Sequence, residues 1–510
     1  MNEYLLSVSF DFYLTCTDIE FLWSFLKQSL YETISIFVPI SKSKAHPHPR
    51  WFTPELRHQL NQLHTVRRKH KKLQLKNNLQ SDSSSALSEA ESRFQQHVIN
   101  AKVLYESKLI HDFAHNTNQK IFKYIRSISR QASIPHTVFF DDRFSTNDHD
   151  KANLFNDFFQ SVFKSSNIPP PDSNSLPTPP ITLDNISITE GGVYIALANL
   201  DETKATGPDG IPARVLKYCS CVLASPIRHL FSQCILQSYL PKEWKIHQIV
   251  PVFKSGDRSS VKNYRPISLL CCISKVLERI IHDKIYDFID KTFISKQQFG
   301  FMKHRSTLKQ LLIFLTSITE IIANNHQADV LYLDIQKAFD SVPHNELLVK
   351  LREAGITGKL WKFFNIYLKG RQQCVAINGI KSSLIDVSSG VPQGSILGPL
   401  LFVIYINDVP SIPTFLQSFL FADDSKFLGH ITSPLDQKLV QKDLDHLASW
   451  SFISRLDFNL TKTFILTFIK NQRAPIKPDY KLKGVSIPTR QTCRDLGVVF
   501  SSDLSWTMHY

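Results

Sequence analysis

The chain has 510 residues and no pair of cysteines at the CxxC spacing of a zinc site or of a secreted disulfide framework. Its eight cysteines are scattered at 16, 219, 221, 234, 271, 272, 374 and 493, the pattern of reduced core thiols in an intracellular protein, nuclear or cytoplasmic. There is no long hydrophobic run at the start. Glu3, Asp11, Asp18 and Glu20 interrupt the apolar N-terminus, which spoils both a signal-peptide pattern and a membrane span. Internal repeats are lacking, and so is any excess of acid. What is present is a 43% hydrophobic share, enough for a sizeable core and for more than one domain at this length. A formal net charge of +14 points to a polyanionic partner, because every phosphate neutralised by Lys or Arg releases condensed counterions. Nucleic acid is the simplest such partner.

Composition divides the chain. Residues 1–164 form a basic, mostly helical extension: Thr53 before Pro54 is an N-cap and first-turn pair, and a polar helix follows. That helix runs into Arg67-Arg68-Lys69-His70-Lys71-Lys72, which reads as a nuclear address, an RNA-contacting face or a solvated helix face. A Ser-rich break at 81–88 precedes a second helix, Glu89 to Phe113, and the amphipathic rhythm resumes at 121–125. Residues 165–180 collapse to Ser, Asn and Pro, an extended linker. Beyond it helices and strands alternate irregularly, which predicts an α+β fold with an antiparallel sheet.

One acidic knuckle stands out. Phe421-Ala422-Asp423-Asp424 lies between apolar runs, as at a hairpin turn, and Asp334 ends the apolar run Val330-Leu331-Tyr332-Leu333. Like charges brought to about 4 Å at an effective dielectric near 20 repel by about 4 kcal/mol per pair, so three acids at strand ends predict a shared cation. Hard oxygen ligands that leave room for water and phosphate suit Mg²⁺, and two such ions about 3.5–4 Å apart serve phosphoryl or nucleotidyl transfer.

Further strings fall in a fixed order: Lys204-Ala205-Thr206-Gly207-Pro208-Asp209-Gly210, then Ile249 to Asp257, Asn263 to Leu270, Gln298-Phe299-Gly300-Phe301 with Arg305-Ser306-Thr307, and Asp334 to Asp340. Gly390-Val391-Pro392-Gln393-Gly394-Ser395 leads towards a hydrophobic helix, and Asn459 to Thr463 and Arg494 to Val498 follow the acidic knuckle. Two glycines bracketing Pro-Gln permit a tight loop whose backbone can approach a ligand closely. From Lys204 onward this order resembles the reverse transcriptases of jockey-like non-LTR retrotransposons.

The resemblance implies a right-hand polymerase, with pre-fingers and fingers over 181–325, a palm over 326–500 and, at 501–510, a stub before a thumb. It implies that Asp334, Asp423 and Asp424 hold two Mg²⁺ ions, with Mn²⁺ as a substitute. Lys254 and Arg265 would face the triphosphate, and Lys462 the departing pyrophosphate. Gln393, with Gly390, Pro392 and Gly394, would meet template and nascent pair, and the helix beyond Arg305 would track template. Phe339, five residues after Asp334, would lie under the sugar and exclude a 2′-hydroxyl; in isolation it reads equally as core. Asp495 departs from the family, which often has an aromatic or apolar residue there in the primer-grip hairpin. The expected activity is copying an RNA template into DNA from dNTPs on a DNA primer or target DNA, with no membrane partner. The alternative is an inactive RNA-binding remnant, and a maturase or telomerase-like polymerase shares the acids without a recognisable module of its own. No endonuclease or ribonuclease H pattern is visible, so an interior piece of a longer reading frame is expected.

Overall fold

The computed structural model describes residues 1–39, 49, 51–75, 81–115, 121–122, 124, 134–166, 168–169, 171, 179–470 and 476–505. Most of the expected 165–180 linker, residues 123 and 125 of the 121–125 segment and the end of the 501–510 stub lie outside the described residues. The chain folds into two units, one made of Met1–Val38 with Ile134–Tyr510, the other of Pro39–Ser133. The extension expected over 1–164 is therefore not one body, and the reason is apolar burial at both of its ends. Helix Ile19–Phe37 buries Leu22, Trp23, Leu26 and Leu30 in the same core as helix Ser220–Gln237. Glu243 fastens it, accepting from Trp23 Nε1 at 2.7 Å and pairing with Lys27 at 2.6 Å. Helix Asp148–Ser161, capped by Asn147, packs Phe155, Phe158 and Phe159 with Ile249, Tyr264 and Val375.

The acids sit on a five-stranded sheet in the order Thr489–Arg490, Phe464–Phe468, Gln327–Asp334, Asp424–Ile431, Gln417–Phe421. All its neighbours are antiparallel except the first pair. Its central strand is apolar almost throughout because both faces are covered: Leu331 and Leu333 join the main core, while Ala328 and Val330 join a second core with Phe314, Phe419 and Phe500. Asp329 is the buried exception, and its carboxylate accepts from Tyr480 at 2.6 Å, Thr467 at 2.8 Å and Gln327 at 2.9 Å. Buried Asp443 clamps the approach to the edge strand, accepting from the backbone N–H groups of Thr414, Phe415 and Leu416 at 2.8–2.9 Å.

A second, mixed sheet pairs Tyr264–Leu269 with Ile246–Phe253 antiparallel and Ile246–Phe253 with Arg371–Ile377 in parallel, extended by Ile380–Lys381 and Ile385–Val387. The fold is thus mixed helix and sheet, as the alternation of elements predicts.

In the other unit, helix Pro54–Leu75 pairs with helix Ser81–His115. Thr53 Oγ1 accepts from Leu56 N at 3.2 Å, the cap read from its sequence. The Ser-rich stretch at 81–88 is not a break but the first turns of the second helix, where Ser and Asp are favoured as helix starters. All eight cysteines are free, and no helix among the described residues is long and apolar enough to cross a membrane.

Candidate active site

Register brings the acids together. Asp334 lies directly opposite Asp424 on adjacent strands, and Asp424 faces Phe421 across a two-residue turn made of Ala422 and Asp423. Residues directly opposite on antiparallel strands have Cβ atoms about 5 Å apart, so Asp334 and Asp424 share one face of the sheet. Ala422 adopts a left-handed φ of 56°, unfavourable by about 1–2 kcal/mol for a residue with a Cβ. The segment before Arg305 holds it there. Gln298 Oε1 accepts from Ala422 N at 2.9 Å and from Gly300 N at 2.8 Å, Phe299 N donates to Leu420 O at 2.8 Å, and Gln310 Nε2 donates to the same oxygen at 2.8 Å. A Cβ on Gly300 would come within 2.2 Å of Ala422 N, so glycine is required for this approach. The motif around Gln298 is legible in the sequence; that it braces the acid turn is not, because the partner lies 124 residues away.

The corner is electrostatically loaded. Burial first, and then Asp334, raises the Asp423 carboxyl above the usual carboxylate range. Loss of water on its protein side, followed by the charges of Asp423, Asp334 and Asp495, pushes Asp424 up to about 6, although its side chain still reaches solvent in the cleft. Asp334 is offset by Lys462, whose Nζ lies 2.7 Å from Oδ2. Asn459, three residues earlier, donates its N–H to Asp334 O at 2.7 Å and so fixes that loop on the strand end. The oxygen-only donor set suits Mg²⁺. Among the described residues, however, no three His, Cys, Asp or Glu side chains are gathered as a metal cage. Lys462 occupies one oxygen of Asp334, so the donors such an ion would use are the other oxygen of Asp334 and the carboxylates of Asp423 and Asp424.

Cations ring these acids. Arg265 pairs with Val252 across the second sheet's hairpin, and Lys254 N donates to Asn263 O at 2.9 Å in the same hairpin. Burial lowers the Lys254 pKa, the neighbouring charges of Lys462 and Arg265 lower it further, and Asp334 and Asp423 oppose them. Lys337 belongs to this ring and was not singled out in the sequence: burial lowers its pKa, Asp340 opposes, and Lys254, Lys462 and Arg265 add to the fall. Its place three residues after Asp334 was the available signal; its left-handed φ of 46° is a feature of the structure.

The other expected residues make defined contacts within the protein. Gly390 and Gly394 are needed for close approach, but to protein: an added Cβ would lie 2.8 Å from Asp340 Cα at Gly390 and 2.3 Å from Ser268 O at Gly394. Pro392 is buried between them. Gln393 Nε2 donates to Asp340 Oδ1 at 2.8 Å, and Ser268 N donates to Gln393 O at 2.8 Å, tying the loop to both the acid segment and the second sheet. Burial pushes the Asp340 carboxyl up to about 6 against the pull of Gln393 and Lys337. Arg305 is engaged internally, donating to Ser295 O at 2.7 Å and Gln298 O at 2.6 Å and pairing with Asp290 at 3.3 Å. Phe339 is half-buried, stacked on Phe402 at 4.8 Å and edge-on to Phe301 at 6.1 Å. Packing and an open rim therefore coexist in that ring.

A cleft of about 290 Å³ opens beside Asp334 and Asp424, lined also by Lys462, Arg490 and Arg494. Its floor carries an ion pair that sequence reading passed over. Lys426, on the face of Asp424, pairs with Asp495 of the hairpin Thr492–Asp495/Val498–Ser501, and both side chains are under a tenth exposed. Tyr332 OH donates to the same Asp495 oxygen at 3.3 Å, and Lys426 Nζ lies 4.3 Å from the Phe314 ring centroid. A lysine inside the apolar strand Asp424–Ile431 and an aspartate in place of an aromatic were the two halves of the signal.

Removing one member of that pair leaves a buried charge unpaired, at about 3–5 kcal/mol. Lys426→Met should therefore lower unfolding stability in urea by about that amount, while Lys426→Met/Asp495→Leu should recover most of it. Asp424 gives a pH signature. Its folded pKa near 6 exceeds the ordinary 3.8, so its ionised form opposes folding above pH 6 and the penalty fades as pH falls through that window. Asp424→Asn should stabilise the fold at pH 8 by of order 1 kcal/mol or less after solvent screening, seen as a higher melting temperature, and leave it unchanged near pH 4.

Residues 252–500 match the reverse transcriptase (RNA-dependent DNA polymerase) family. The RNA-directed DNA polymerase from mobile element jockey of Drosophila melanogaster is 29% identical over 354 residues, 66% of this chain and 37% of that protein. Its namesake in Drosophila funebris is 27% identical over 369 residues, 70% of this chain and 39% of that protein. The Pol polyprotein from type-1 retrotransposable element R1 of Bradysia coprophila is 27% identical over 318 residues, 60% of this chain and 31% of that protein. The chain spans well under half the length of these relatives. The acid corner and its cations lie within the segment that matches the reverse transcriptase family, and the chain is similar to the RNA-directed DNA polymerases of jockey mobile elements over about two thirds of its length.

Proposed function

We propose that this chain copies RNA into DNA, adding deoxynucleotides to a primer 3′-hydroxyl. The observation that carries the reading is the convergence of Asp334, Asp423 and Asp424 with Lys254, Arg265, Lys337 and Lys462 at one corner of the sheet. In this reading the acid-bearing sheet is the palm and the second sheet belongs to the fingers. Asp334 and Asp423, with Asp424 beside them, would hold Mg²⁺, or Mn²⁺ in its stead. The ion, when bound, supplies positive charge that acidifies a hydroxyl and offsets charge on phosphate oxygens.

The protein's own groups do the rest. Lys254, Arg265 and Lys337 supply the field that draws in a triphosphate and neutralises its β and γ oxygens, Arg265 with a forked geometry. Lys462, held 2.7 Å from Asp334, is placed to offset charge on departing pyrophosphate. Phe339, buttressed by Phe402, closes the space a 2′-hydroxyl would need, which selects dNTP over NTP. Gln393 acts as an anchor of the loop through Asp340 and reaches the nascent pair from that fixed point. Most of the acceleration comes from alignment and charge stabilisation rather than covalent chemistry.

The test is extension of a DNA primer annealed to RNA, in Mg²⁺, with dNTP compared with NTP. Incorporation of dNTP alone is expected, and Asp423→Asn should reduce it by at least 10³-fold, about 4 kcal/mol of barrier, with RNA affinity within twofold. RNA binding without incorporation in any divalent ion would instead make the chain a non-catalytic RNA-binding relative.

A further inference from the structure

Charge is unevenly shared between the two units. Residues 39–133 contain 17 Lys and Arg against 6 Asp and Glu, so under a fifth of the chain carries +11 of its net +14. The remaining residues, which include the whole acid corner and its cations, sum to only +3. The polyanion attraction implied by the composition thus resides mostly outside the unit that holds the candidate active site.

Helix Pro54–Leu75 gives that charge a surface. It buries Leu56 and Leu63 and turns the opposite face outward, where Arg57, Asn61, His64, Arg68 and Lys72 are all exposed. Their spacing of four, three, four and four residues follows one side of an α-helix, and at 1.5 Å per residue the strip runs about 23 Å. The acid of this helix, Glu55, lies in its first turn, outside the strip. Neighbouring acids are already engaged: Glu91 pairs with Arg67, Glu89 with Arg93 and Glu106 with Lys102. Among the described residues, Arg57, Arg68 and Lys72 form no ion pair. Arg68 and Lys72 are like charges one turn apart, an arrangement that destabilises a helix by about 0.2–0.5 kcal/mol. A surface shaped for solubility alone intersperses both signs.

We propose that the outward face of helix Pro54–Leu75 is an RNA-binding surface that grips the phosphodiester backbone. The choice of RNA rests on the polymerase reading, which gives the chain a long RNA to hold. Arginine forks match phosphate oxygens, and the Asn61 amide and the His64 ring add hydrogen-bonding groups along the same line. The strip has no Phe, Tyr or Trp on which bases could stack, its one ring being His64, so its grip is on the backbone and independent of base sequence. It adds salt-sensitive affinity that the nearly neutral remainder of the chain does not supply.

The test uses the full chain and equilibrium binding of a fluorescent 20-nucleotide RNA, without dNTP, across 50–300 mM KCl. Arg57→Gln/Arg68→Gln/Lys72→Gln should flatten the slope of log K against log salt by about 2, since each cation contributes about 0.7 on a single strand. At 100 mM KCl the affinity should fall at least tenfold. Two comparison variants fix the interpretation. Lys359→Gln/Lys362→Gln/Lys438→Gln removes the same charge from exposed positions in the other unit and should leave the slope unchanged. Arg57→Lys/Arg68→Lys keeps the charge and should keep the slope. Equal flattening by the comparison triple, an unchanged slope in the strip variant, or a greater loss on duplex DNA than on RNA would overturn the proposal. Because binding is read without extension, failure of dNTP incorporation alongside a flattened slope would count against the polymerase reading alone.

Discussion

Mutual repulsion among carboxylates held by strand register is the constraint to which the rest of the site answers. Hydrogen bonding along the sheet sets Asp334 opposite Asp424, and the two-residue turn adds Asp423 beside them. None of the three can retreat without breaking the central ladder, whose apolar residues are buried on both faces. The chain offsets the load with cations drawn from three separate segments: the hairpin bearing Lys254 and Arg265, the turn bearing Lys337 and the loop bearing Lys462.

Fixing the corner needs a second set of interactions that carry no chemistry. Gln298 and Gly300 hold the strained Ala422 from one side, and Arg305 in turn holds the Gln298 loop. On the other side, Lys426 and Asp495 lock the C-terminal hairpin onto the face that carries Asp334 and Asp424. The loop from Gly390 to Gly394 is tied to the short helix that follows Asp334, through Asp340, and to the second sheet, through Ser268. A buried ion pair is a poor source of stability but a strict source of register, since a misplaced hairpin would leave Lys426 buried and alone.

The catalytic-looking residues were legible in the sequence because they are short, local and chemically unusual: an acid pair on a turn, an acid at the end of an apolar strand, a Gly-Val-Pro-Gln-Gly loop. Their supports were not, because each depends on a partner far along the chain. Arg305 reads as a free cation in sequence and proves to be spent on backbone oxygens ten and seven residues away. Gly390 and Gly394 announce a close approach, but sequence alone does not say whether the approaching backbone belongs to a ligand or to the protein. Lys426 hides within an apolar strand, and Asp495 looks like a defect until the two are seen together. Domain limits were least legible, because the helices at 19–37 and 148–161 flank the basic unit in sequence yet bury their apolar faces in the cores of the other unit.

Everything in the account rests on Asp334 and Asp423 sharing a divalent cation. Calorimetric titration of Mn²⁺ into the nucleic-acid-free protein at pH 7.5 tests it most directly. The account predicts saturable binding that Asp334→Asn and Asp423→Asn each weaken by at least tenfold. Binding of equal strength in the wild-type chain and in both variants would contradict it.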